Sequence, residues 1–269
     1  MERPSHSMFT LLDDGSASLP PSQAVSRRSS FDGAEQLSLD KQKRHHAIAS
    51  MAHEIVDGII NDLTDTQKNI SRQALQHIHM NEVLMTYGAS PTCEAFFLEA
   101  ARKRTFQVLI ADSTFSAESQ ETAKRLSEKD INTTLVYDTS IFALMARVNK
   151  VVISAHAVLA NGGIIAQAGT NLLLQAAHHY STPVVVLAGL YNLSPLYSFH
   201  PQIQNILLNA SDVANYEDDL HPDVQNLNPQ FDYVPPEMIN LFVTNDGDHS
   251  PSYVYRLLAE QYDFQDYSL

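Results

Sequence analysis

The chain has 269 residues, of which 44% are hydrophobic and 18% charged, and its formal net charge at pH 7 is −14. A chain of this length can bury a substantial core, and its acidic balance argues against a nucleic-acid groove, which needs clustered Lys and Arg. The single cysteine, Cys93, excludes an internal disulfide and a Cys-based zinc site. Because neither a signal peptide nor an 18-residue apolar span is recognisable, we expect a cytosolic protein that binds no membrane.

Residues 1–42 are predicted to be a disordered tail, because Ser, Pro, Asp and Gly dominate and apolar residues follow no period. Within this tail, Arg27–Arg28–Ser29–Ser30 is a candidate phosphorylation site, although a flexible linker is the favoured interpretation.

Residues 43–80 are predicted to form a long helix. Apolar residues recur there mostly at three- and four-residue steps. They are Ile48, Met51, Ile55, Ile59, Leu63, Ile70, Ala74 and Ile78. A helix with such a stripe is expected to pack on a helical layer or a partner chain.

Residues 81–269 alternate between short β-rich runs and helical stretches, which predicts an α/β, Rossmann-like, doubly wound and mostly parallel sheet. The predicted strands are Val83–Tyr87, Phe106–Ala111, Thr134–Tyr137, Val151–Ser154, Val184–Ala188 and Leu241–Thr244. The predicted helices are 91–103, 117–129, 140–149, 170–181 and 251–262. Residues 190–236 form a long Asn- and Pro-rich insertion, and Arg102–Lys103–Arg104 is interpreted as a solvated helix end rather than a binding patch.

Ligands of open α/β sheets bind beyond the carboxyl ends of the strands. There, Gly88, Ser90 and Thr92 precede or open a helix whose N-terminus can hold a phosphate, although structural capping is favoured. Cys93 follows in the first helical turn, where a small buried residue is the favoured role. Neither a dinucleotide nor a P-loop fingerprint is present, and the histidines lack the spacing of a zinc site, so no cofactor or metal is expected.

The segment 154–163, Ser-Ala-His-Ala-Val-Leu-Ala-Asn-Gly-Gly, follows a predicted strand and ends in a flexible turn. An enzyme built at this point needs a titratable acid or base at the end of the strand. The chain offers His156 there instead of a carboxylate, which argues against catalysis.

Four long segments carry a specific resemblance. They are ALQHIHMNEVLMTYG (74–88), EAFFLEAARKRTFQVLIADS (94–113), IFALMARVNKVVISAHAVLANGGIIAQAGTN (141–171) and FDYVPPEMINLFVTNDGDHSPSYVYRLLAEQY (231–262). Together they resemble the regulatory alpha, beta and delta subunits of the guanine-nucleotide exchange factor for translation initiation factor two, and the last segment is most similar to the beta branch. The resemblance covers about residues 45–269.

The superfamily of that resemblance also includes sugar-phosphate isomerases with a catalytic cysteine after the first strand and an aspartate in a later Gly-Ala-Asp-Arg-Ile segment. By this resemblance, Gly88 stands near the cysteine position and His156 takes the place of the aspartate. The resemblance therefore implies a vestigial sugar-phosphate pocket without catalytic residues. Its members would be Gly88, Ser90, Thr92, His156, Asn161, Gly162, Gly163 and Thr170.

The family resemblance implies a non-catalytic regulatory and scaffold subunit, preceded by the remnant of a helical domain. Its expected partners are the delta, alpha, gamma and epsilon subunits in a decamer built on beta–delta pairs, and initiation factor two, whose alpha-subunit phosphorylation the complex senses. His79 and Asn81 match positions near the central symmetric interface; alternatively, they only cap the junction between the long helix and the first strand. A metabolite-binding sensor and an isomerase-like enzyme remain alternative functions.

Overall fold

The structure is a computed structural model that describes residues 30–113, 117–197, 205–213 and 224–263. The described residues fall into two units, one ending at Gly58 and the other beginning at Ile59. The predicted tail up to residue 29, with Ser29 of the candidate phosphorylation site, lies outside the described residues. No helix among the described residues is both long and apolar enough to span a membrane.

The first helix, α1 (Ser30–Arg72), begins earlier than the predicted boundary at residue 43. Residues 30–42 were assigned to the tail because they lack an apolar period. They are nevertheless rich in Ala, Glu, Gln, Leu and Lys, whose helix propensity favours continuation toward the N-terminus. A turn at Gln73 then separates α1 from the short helix α2 (Ala74–His77).

The predicted apolar stripe on α1 and α2 has different environments along its length. In the unit that ends at Gly58, Ile48, Met51 and Ile55 are exposed. In the unit that begins at Ile59, the first stripe residues, Ile59 and Leu63, are exposed as well. The last three, Ile70, Ala74 and Ile78, are completely buried. The stripe therefore supplies core residues only at its C-terminal end.

The remaining helices are α3 (Pro91–Ala101), α4 (Ala117–Ser127), α5 (Ile141–Met145), α6 (Thr170–His179) and α7 (Val254–Gln261). The strands are β1 (Val83–Tyr87), β2 (Gln107–Asp112), β3 (Asn132–Tyr137), β4 (Lys150–Ser154), β5 (Ala157–Val158), β6 (Ile164–Gln167), β7 (Val184–Leu187), β8 (Phe231–Val234), β9 (Leu241–Val243) and β10 (Asp248–His249). Short 3-10 helices span Asp138–Ser140, Leu190–Asn192, Ala210–Asp212, Pro236–Met238 and Pro251–Tyr253.

Seven strands form one sheet in the order β10-β9-β7-β4-β1-β2-β3. All neighbours pair in parallel except β10, which returns antiparallel to β9. The chain runs outward from β1 to β2 and β3, and then crosses back to β4 and β7 on the other side. The strand order therefore reverses between β1 and β4, which is the switch point of a doubly wound sheet. The predicted fold class is confirmed.

Successive side chains of β1 point to opposite faces of the sheet, as the two-residue period of a strand requires. Leu84 enters a core cluster with Phe96 and Phe97 of α3 and with Ile70 of α1. Met85, its neighbour, enters the cluster that contains residues of α5, α6 and α7. Helices thus cover both faces of the sheet, which explains why its central strands are apolar on both sides.

A second sheet, in the order β5-β6-β8, lies outside the sequence-based prediction. Its three strands pair antiparallel, and β8 arrives at the end of the long insertion after residue 190. Asn205 holds this return: its side-chain amide donates to the Phe231 carbonyl and its amide oxygen accepts from the Phe231 N–H. The small sheet brings β6 and β8 to the loops that follow the strands of the large sheet.

Candidate functional site

The turn after β1 begins the candidate site. Gly88 has φ +63° and donates its N–H to the Ala111 carbonyl at 2.8 Å. Ser90 caps α3 by accepting a hydrogen bond from the Cys93 N–H, and Pro91 occupies the first helical position. The predicted structural capping by Ser90 is therefore confirmed, and one N–H of the helix terminus is satisfied internally.

Gln167, at the end of β6, fills the space beside the Gly88 backbone. A Cβ atom added to Gly88 would lie 2.1 Å from the Gln167 Oε1 atom. Glycine is favoured there, because φ is positive and because a Cβ would force the end of the Gln167 side chain to move. The side chain of the second sheet therefore occupies the point where the predicted pocket would open above β1.

The N-terminus of α6 lies close by and is occupied by a carboxylate of the chain itself. Asp232 of β8 accepts from the Gly169 N–H at 2.7 Å and from the Asn171 N–H at 3.2 Å. Gly169 has φ +98°, and a Cβ at this residue would lie 1.8 Å from the Tyr87 hydroxyl oxygen. A helix N-terminus attracts anions, and here Asp232 takes the place that a phosphate would need. Thr170, the first residue of α6, is buried behind this contact.

The Tyr87 hydroxyl is buried near several carboxylates at this edge of the sheet. Burial, together with the carboxylates of Asp138, Asp112 and Asp232, raises the pKa of Tyr87 to about 12. Each of these carboxylates disfavours a second negative charge nearby. A further anion at this edge would meet the same repulsion from Asp138, Asp112 and Asp232.

Cys93 is buried under the same turn. Burial raises the pKa of its thiol to about 11, although the hydroxyls of Ser90, Thr86 and Ser154 partly oppose the rise. A thiol with this pKa is uncharged at neutral pH and is a poor nucleophile. The favoured role of Cys93 as a small buried residue agrees with its 2% exposure.

His156 follows β4 and exposes its side chain. Its ring stacks on Phe231, with the ring centroids 4.5 Å apart. The backbone N–H of His156 donates to the Ile165 carbonyl, and the backbone carbonyl of His156 accepts from the Asn192 side-chain amide at 3.1 Å. His156 therefore contributes to the contact between β4, β6 and β8 by stacking and main-chain hydrogen bonds.

The turn Asn161–Gly162–Gly163 has structural contacts. The Asn161 amide donates to the Tyr233 hydroxyl at 2.8 Å, and its oxygen accepts from the Gly163 N–H at 2.9 Å. A Cβ on Gly162 would lie 2.6 Å from the carbonyl oxygen of Pro251. These contacts join the turn to β8 and to the start of the C-terminal helical segment. As members of a pocket, these three residues and the others named from the sequence remain a prediction.

His79 and Asn81 lie at the opposite, amino end of β1. The His79 N–H donates to Glu82 Oε2 at 2.9 Å, and its ring Nδ1 atom lies 3.3 Å from Glu82 Oε1. Asn81 has φ +61° and donates its N–H to the Thr105 carbonyl. Both residues shape the turn into β1, while the His79 ring and the neighbouring Met80 are exposed. Their location in a subunit interface remains a prediction.

Sequence reasoning missed Gln167, Asp232 and Tyr87, which occupy the candidate site. Asp232 of β8 is 63 and 61 positions from its partners Gly169 and Asn171 at the start of α6, and no local pattern links them. The close approach of Gly169 to Tyr87 has no signature in the sequence. Within the described residues, no group of three His, Cys, Asp or Glu side chains is placed to hold a metal ion.

These features define a class of α/β protein with a doubly wound sheet whose switch-point edge is occupied by side chains of the chain itself. The chain belongs to the initiation factor 2 subunit family, whose model matches residues 10–251. It is 46% identical over 212 residues to translation initiation factor eIF2B subunit beta of Dictyostelium discoideum, which covers 78% of this chain and 55% of that protein. The chain spans about half the length of the curated relatives it matches.

Two solved structures share the fold. The crystal structure of eIF2B beta from Chaetomium thermophilum has a TM-score of 0.62 and 26% identity, covering 86% of this chain and 67% of that one. The tetrameric eIF2B-beta2-delta2 complex of the same organism contains a chain with a TM-score of 0.62 and 27% identity, covering 81% and 66%. The resemblance to the beta branch of the family is therefore confirmed.

Proposed function

We propose that this chain is a non-catalytic regulatory and scaffold subunit of the complex that exchanges guanine nucleotides on translation initiation factor two. The observation that carries the proposal is the 46% identity to an eIF2B beta subunit over most of the chain. In this function the subunit helps to bind the factor in the cytosol and to sense phosphorylation of its alpha subunit. The exchange activity itself lies in another subunit.

The geometry of the candidate site supports a non-catalytic role. The buried thiol of Cys93 is uncharged at neutral pH, and His156 stacks on Phe231 where the related isomerases carry an aspartate. Asp232 accepts from the N–H groups at the start of α6 and Gln167 lies against Gly88, so two of the segments assigned to the predicted pocket already have partners within the chain. Each of these arrangements opposes isomerase chemistry, and the acidic edge opposes a sugar-phosphate sensor as well.

The proposed partners are the delta subunit, with which the chain would form a heterodimer, and the alpha, gamma and epsilon subunits of a decamer. The beta2-delta2 complex with a similar chain supports the pairing with delta. The first experiment is co-expression with a delta-type subunit, followed by affinity purification through one chain and mass determination. A stoichiometric complex is expected. If the chain remains soluble and monomeric beside the delta-type subunit, the scaffold function is wrong for this form.

His79 and Asn81 are proposed to join two beta–delta pairs. Substituting both residues with Ala is expected to weaken the association of the pairs by about tenfold or more, as for central residues of an interface. The measurement is the mass of the complex in a dilution series. The matched control is His178→Ala, because His178 is an exposed histidine on α6. An unchanged tetramer would mean that His79 and Asn81 only shape the turn into β1.

A further inference from the structure

Five of the nine glycines in the chain directly follow Asp or Asn. Such pairs can rearrange without an enzyme, because glycine has no Cβ to hinder its backbone nitrogen from reaching the preceding side chain. The pairs are Asp14–Gly15, Asp32–Gly33, Asp57–Gly58, Asn161–Gly162 and Asp246–Gly247. The side chains of the last three pairs belong to the described part of the chain, and the fold treats each of them differently.

The rearrangement of an Asp–Gly pair releases one water molecule and takes one up. The glycine nitrogen attacks Cγ of the protonated carboxyl group, the Cγ–O bond breaks, and the hydroxyl leaves as water with the N–H proton. Water then hydrolyses the resulting cyclic succinimide. Hydrolysis at the backbone carbonyl gives isoaspartate, whose main chain runs through the side-chain carbons, whereas hydrolysis at Cγ restores aspartate.

An Asn–Gly pair follows the same course but releases ammonia, and it becomes Asp or isoaspartate. In a flexible chain at neutral pH the Asn–Gly pair reacts faster, because a carboxylate resists attack by a nucleophile. In a folded chain the glycine nitrogen must be able to turn toward the preceding side chain. A hydrogen bond from its N–H opposes this turn, so the reaction then requires local opening of the structure.

The Asn161–Gly162 pair is held at both reacting groups. The Gly162 N–H donates to the Leu159 carbonyl at 2.9 Å. The Asn161 side-chain amide donates to the Tyr233 hydroxyl at 2.8 Å and accepts from the Gly163 N–H at 2.9 Å. The chemically more reactive pair is therefore protected by the native turn.

The Asp57–Gly58 pair is exposed but lies inside α1. A Cβ on Gly58 would meet nothing within 4 Å, so there is space around the pair. In a helix, however, the Gly58 N–H is bonded to the carbonyl four residues earlier and points along the helix axis, away from the Asp57 side chain. Exposure without a free nitrogen does not make this pair reactive.

The Asp246–Gly247 pair lies in the turn between β9 and β10, where Asp246 is exposed. Gly247 has φ +141°, and a Cβ there would meet nothing within 4 Å. The Thr244 N–H and hydroxyl both donate to the Gly247 carbonyl at 2.9 Å, and the Asp246 N–H donates to Thr244 Oγ1 at 3.2 Å. The Gly247 N–H itself donates to no acceptor in the described part of the chain.

We propose that Asp246 is the site at which the folded chain forms isoaspartate spontaneously, while the fold protects Asn161 and Asp57. The turn combines an exposed carboxyl group, a glycine without steric hindrance and a reactive nitrogen that no hydrogen bond holds. This chemistry is independent of the proposed regulatory function, which uses none of these pairs.

Isoaspartate at residue 246 would disturb the edge of the large sheet. It adds one atom to the main chain inside a turn that the bonds of Thr244 close. The Thr244 carbonyl accepts from the Gln73 side chain at 2.6 Å, and Asp248 of β10 lies 3.0 Å from the His77 ring. The modification would therefore loosen the attachment of β10 to the segment that joins α1 and α2.

The test incubates the full chain at neutral pH and physiological temperature, folded in one sample and denatured in guanidinium chloride in the other. Peptic digestion at low pH and mass spectrometry with electron-transfer fragmentation then locate deamidation and isoaspartate. In the denatured chain, Asn161 is expected to react before Asp246. In the folded chain the order is expected to reverse, with Asn161 slowed at least about tenfold and Asp246 within about threefold of its denatured rate.

Two variants at the same position separate the reaction from other ageing. Asp246→Asn is expected to accelerate modification of residue 246, because ammonia replaces a carboxylate oxygen as the leaving group. Asp246→Glu is expected to abolish it, because the larger ring forms far more slowly. Circular dichroism checks that both variants are folded. After incubation, urea denaturation is expected to show lost stability in the wild type and none in Asp246→Glu.

Absence of isoaspartate at residue 246 in the folded wild type, while the denatured chain forms it, would overturn the proposal. Equal modification of Asp57 and Asp246 in the folded chain would also overturn it, because exposure alone would then decide the reaction. Deamidation of Asn161 at the same rate in both samples would show that the native turn gives no protection. Reversal of the order between the two samples would support the proposal.

Discussion

Gly88 and Gln167 are in direct contact at the end of β1, and their packing can be tested separately from the backbone conformation. Gly88→Ala is expected to lower the free energy of unfolding by about 2–4 kcal/mol, because the left-handed backbone and the overlap with Gln167 both oppose a Cβ. Gln167→Ala in the same chain should restore part of the loss, since it removes only the overlap. Urea denaturation measures both effects.

The matched control is Gly58→Ala. Gly58 lies inside α1, and an added Cβ meets nothing within 4 Å. Helix propensity then favours alanine by up to about 1 kcal/mol, so the sign of the effect is expected to be reversed. If Gly88→Ala lowers the free energy of unfolding equally in the wild type and in the Gln167→Ala background, the proposed overlap between residue 88 and Gln167 is wrong.

Tyr87 gives the protein a dependence on alkaline pH. Its pKa is raised to about 12 in the folded chain by burial and by nearby carboxylates, whereas the ordinary value is 10.0. Between these values the unfolded chain has lost the proton that the folded chain keeps, so the free energy of unfolding falls as pH rises. At about 1.4 kcal/mol per pKa unit, the loss attributable to Tyr87 is at most about 3 kcal/mol.

The measurement is denaturation of the wild type and of Tyr87→Phe at pH 9 to 12. The free energy of unfolding is plotted against pH for each protein, and the difference between the two curves separates Tyr87 from the other tyrosines and the lysines. If the two curves are parallel, the Tyr87 hydroxyl has an ordinary pKa. The ultraviolet absorbance of phenolate, which should lack one late-titrating group in Tyr87→Phe, is an independent readout.

At the scale of elements, α6 depends on another element for its N-terminal cap. Gly169 supplies no side-chain cap, and Asp232 of β8 accepts the hydrogen bonds instead. Asp232→Ala is expected to cost about 1–2 kcal/mol of unfolding free energy, and Asp232→Asn less, because the amide oxygen still accepts.

Asp246→Asn is the control for the Asp232 series, since Asp246 is exposed in the turn before β10. Thermal denaturation gives the order of the variants. If Asp232→Ala were no less stable than Asp246→Asn, the carboxylate would not stabilise α6.

Six of the seven strands of the large sheet could be predicted because each contains its own signal, whereas β10, with only two residues, could not. Residues 184–187 are apolar on both faces, and the structure agrees with the prediction to within two residues at every end of the six predicted strands. The small sheet gave no comparable signal. β5 has only two residues, and β6 finds its partner β8 more than 60 residues later, so its pairing depends on tertiary contacts.

At the scale of the whole molecule, the prediction of a vestigial pocket came from resemblance, whereas the contacts of the residues assigned to it could be identified only in three dimensions. Ser90 as a cap was readable from the Ser-Pro pair before α3. The approach of Asp232 to α6, and that of Gln167 to Gly88, join segments that the sequence does not connect. Local chemistry was therefore predictable, and the occupation of the site was not.

The occupied, acidic edge predicts that sugar phosphates do not stabilise the chain. A ligand at 100 times its dissociation constant would add about 2.7 kcal/mol to the stability, which for a domain of this size raises Tm by roughly 5–10 °C. We expect no such rise with a panel of pentose and hexose phosphates in a thermal-shift assay. Uncharged sugars at equal concentration are the control. A reproducible rise with one phosphate alone would favour the metabolite sensor.

The contact between β8 and α6 also has a kinetic consequence. Its hydrogen bonds connect residues 61 and 63 positions apart, so a long loop must close before they form. Contacts of this kind are expected to form after the rate-limiting step of folding. Removing the Asp232 carboxylate should then leave the refolding rate nearly unchanged and accelerate unfolding. The hydrogen bonds that Asp232 of the long insertion makes to α6 would thus form late in folding and would slow the unfolding of the native chain.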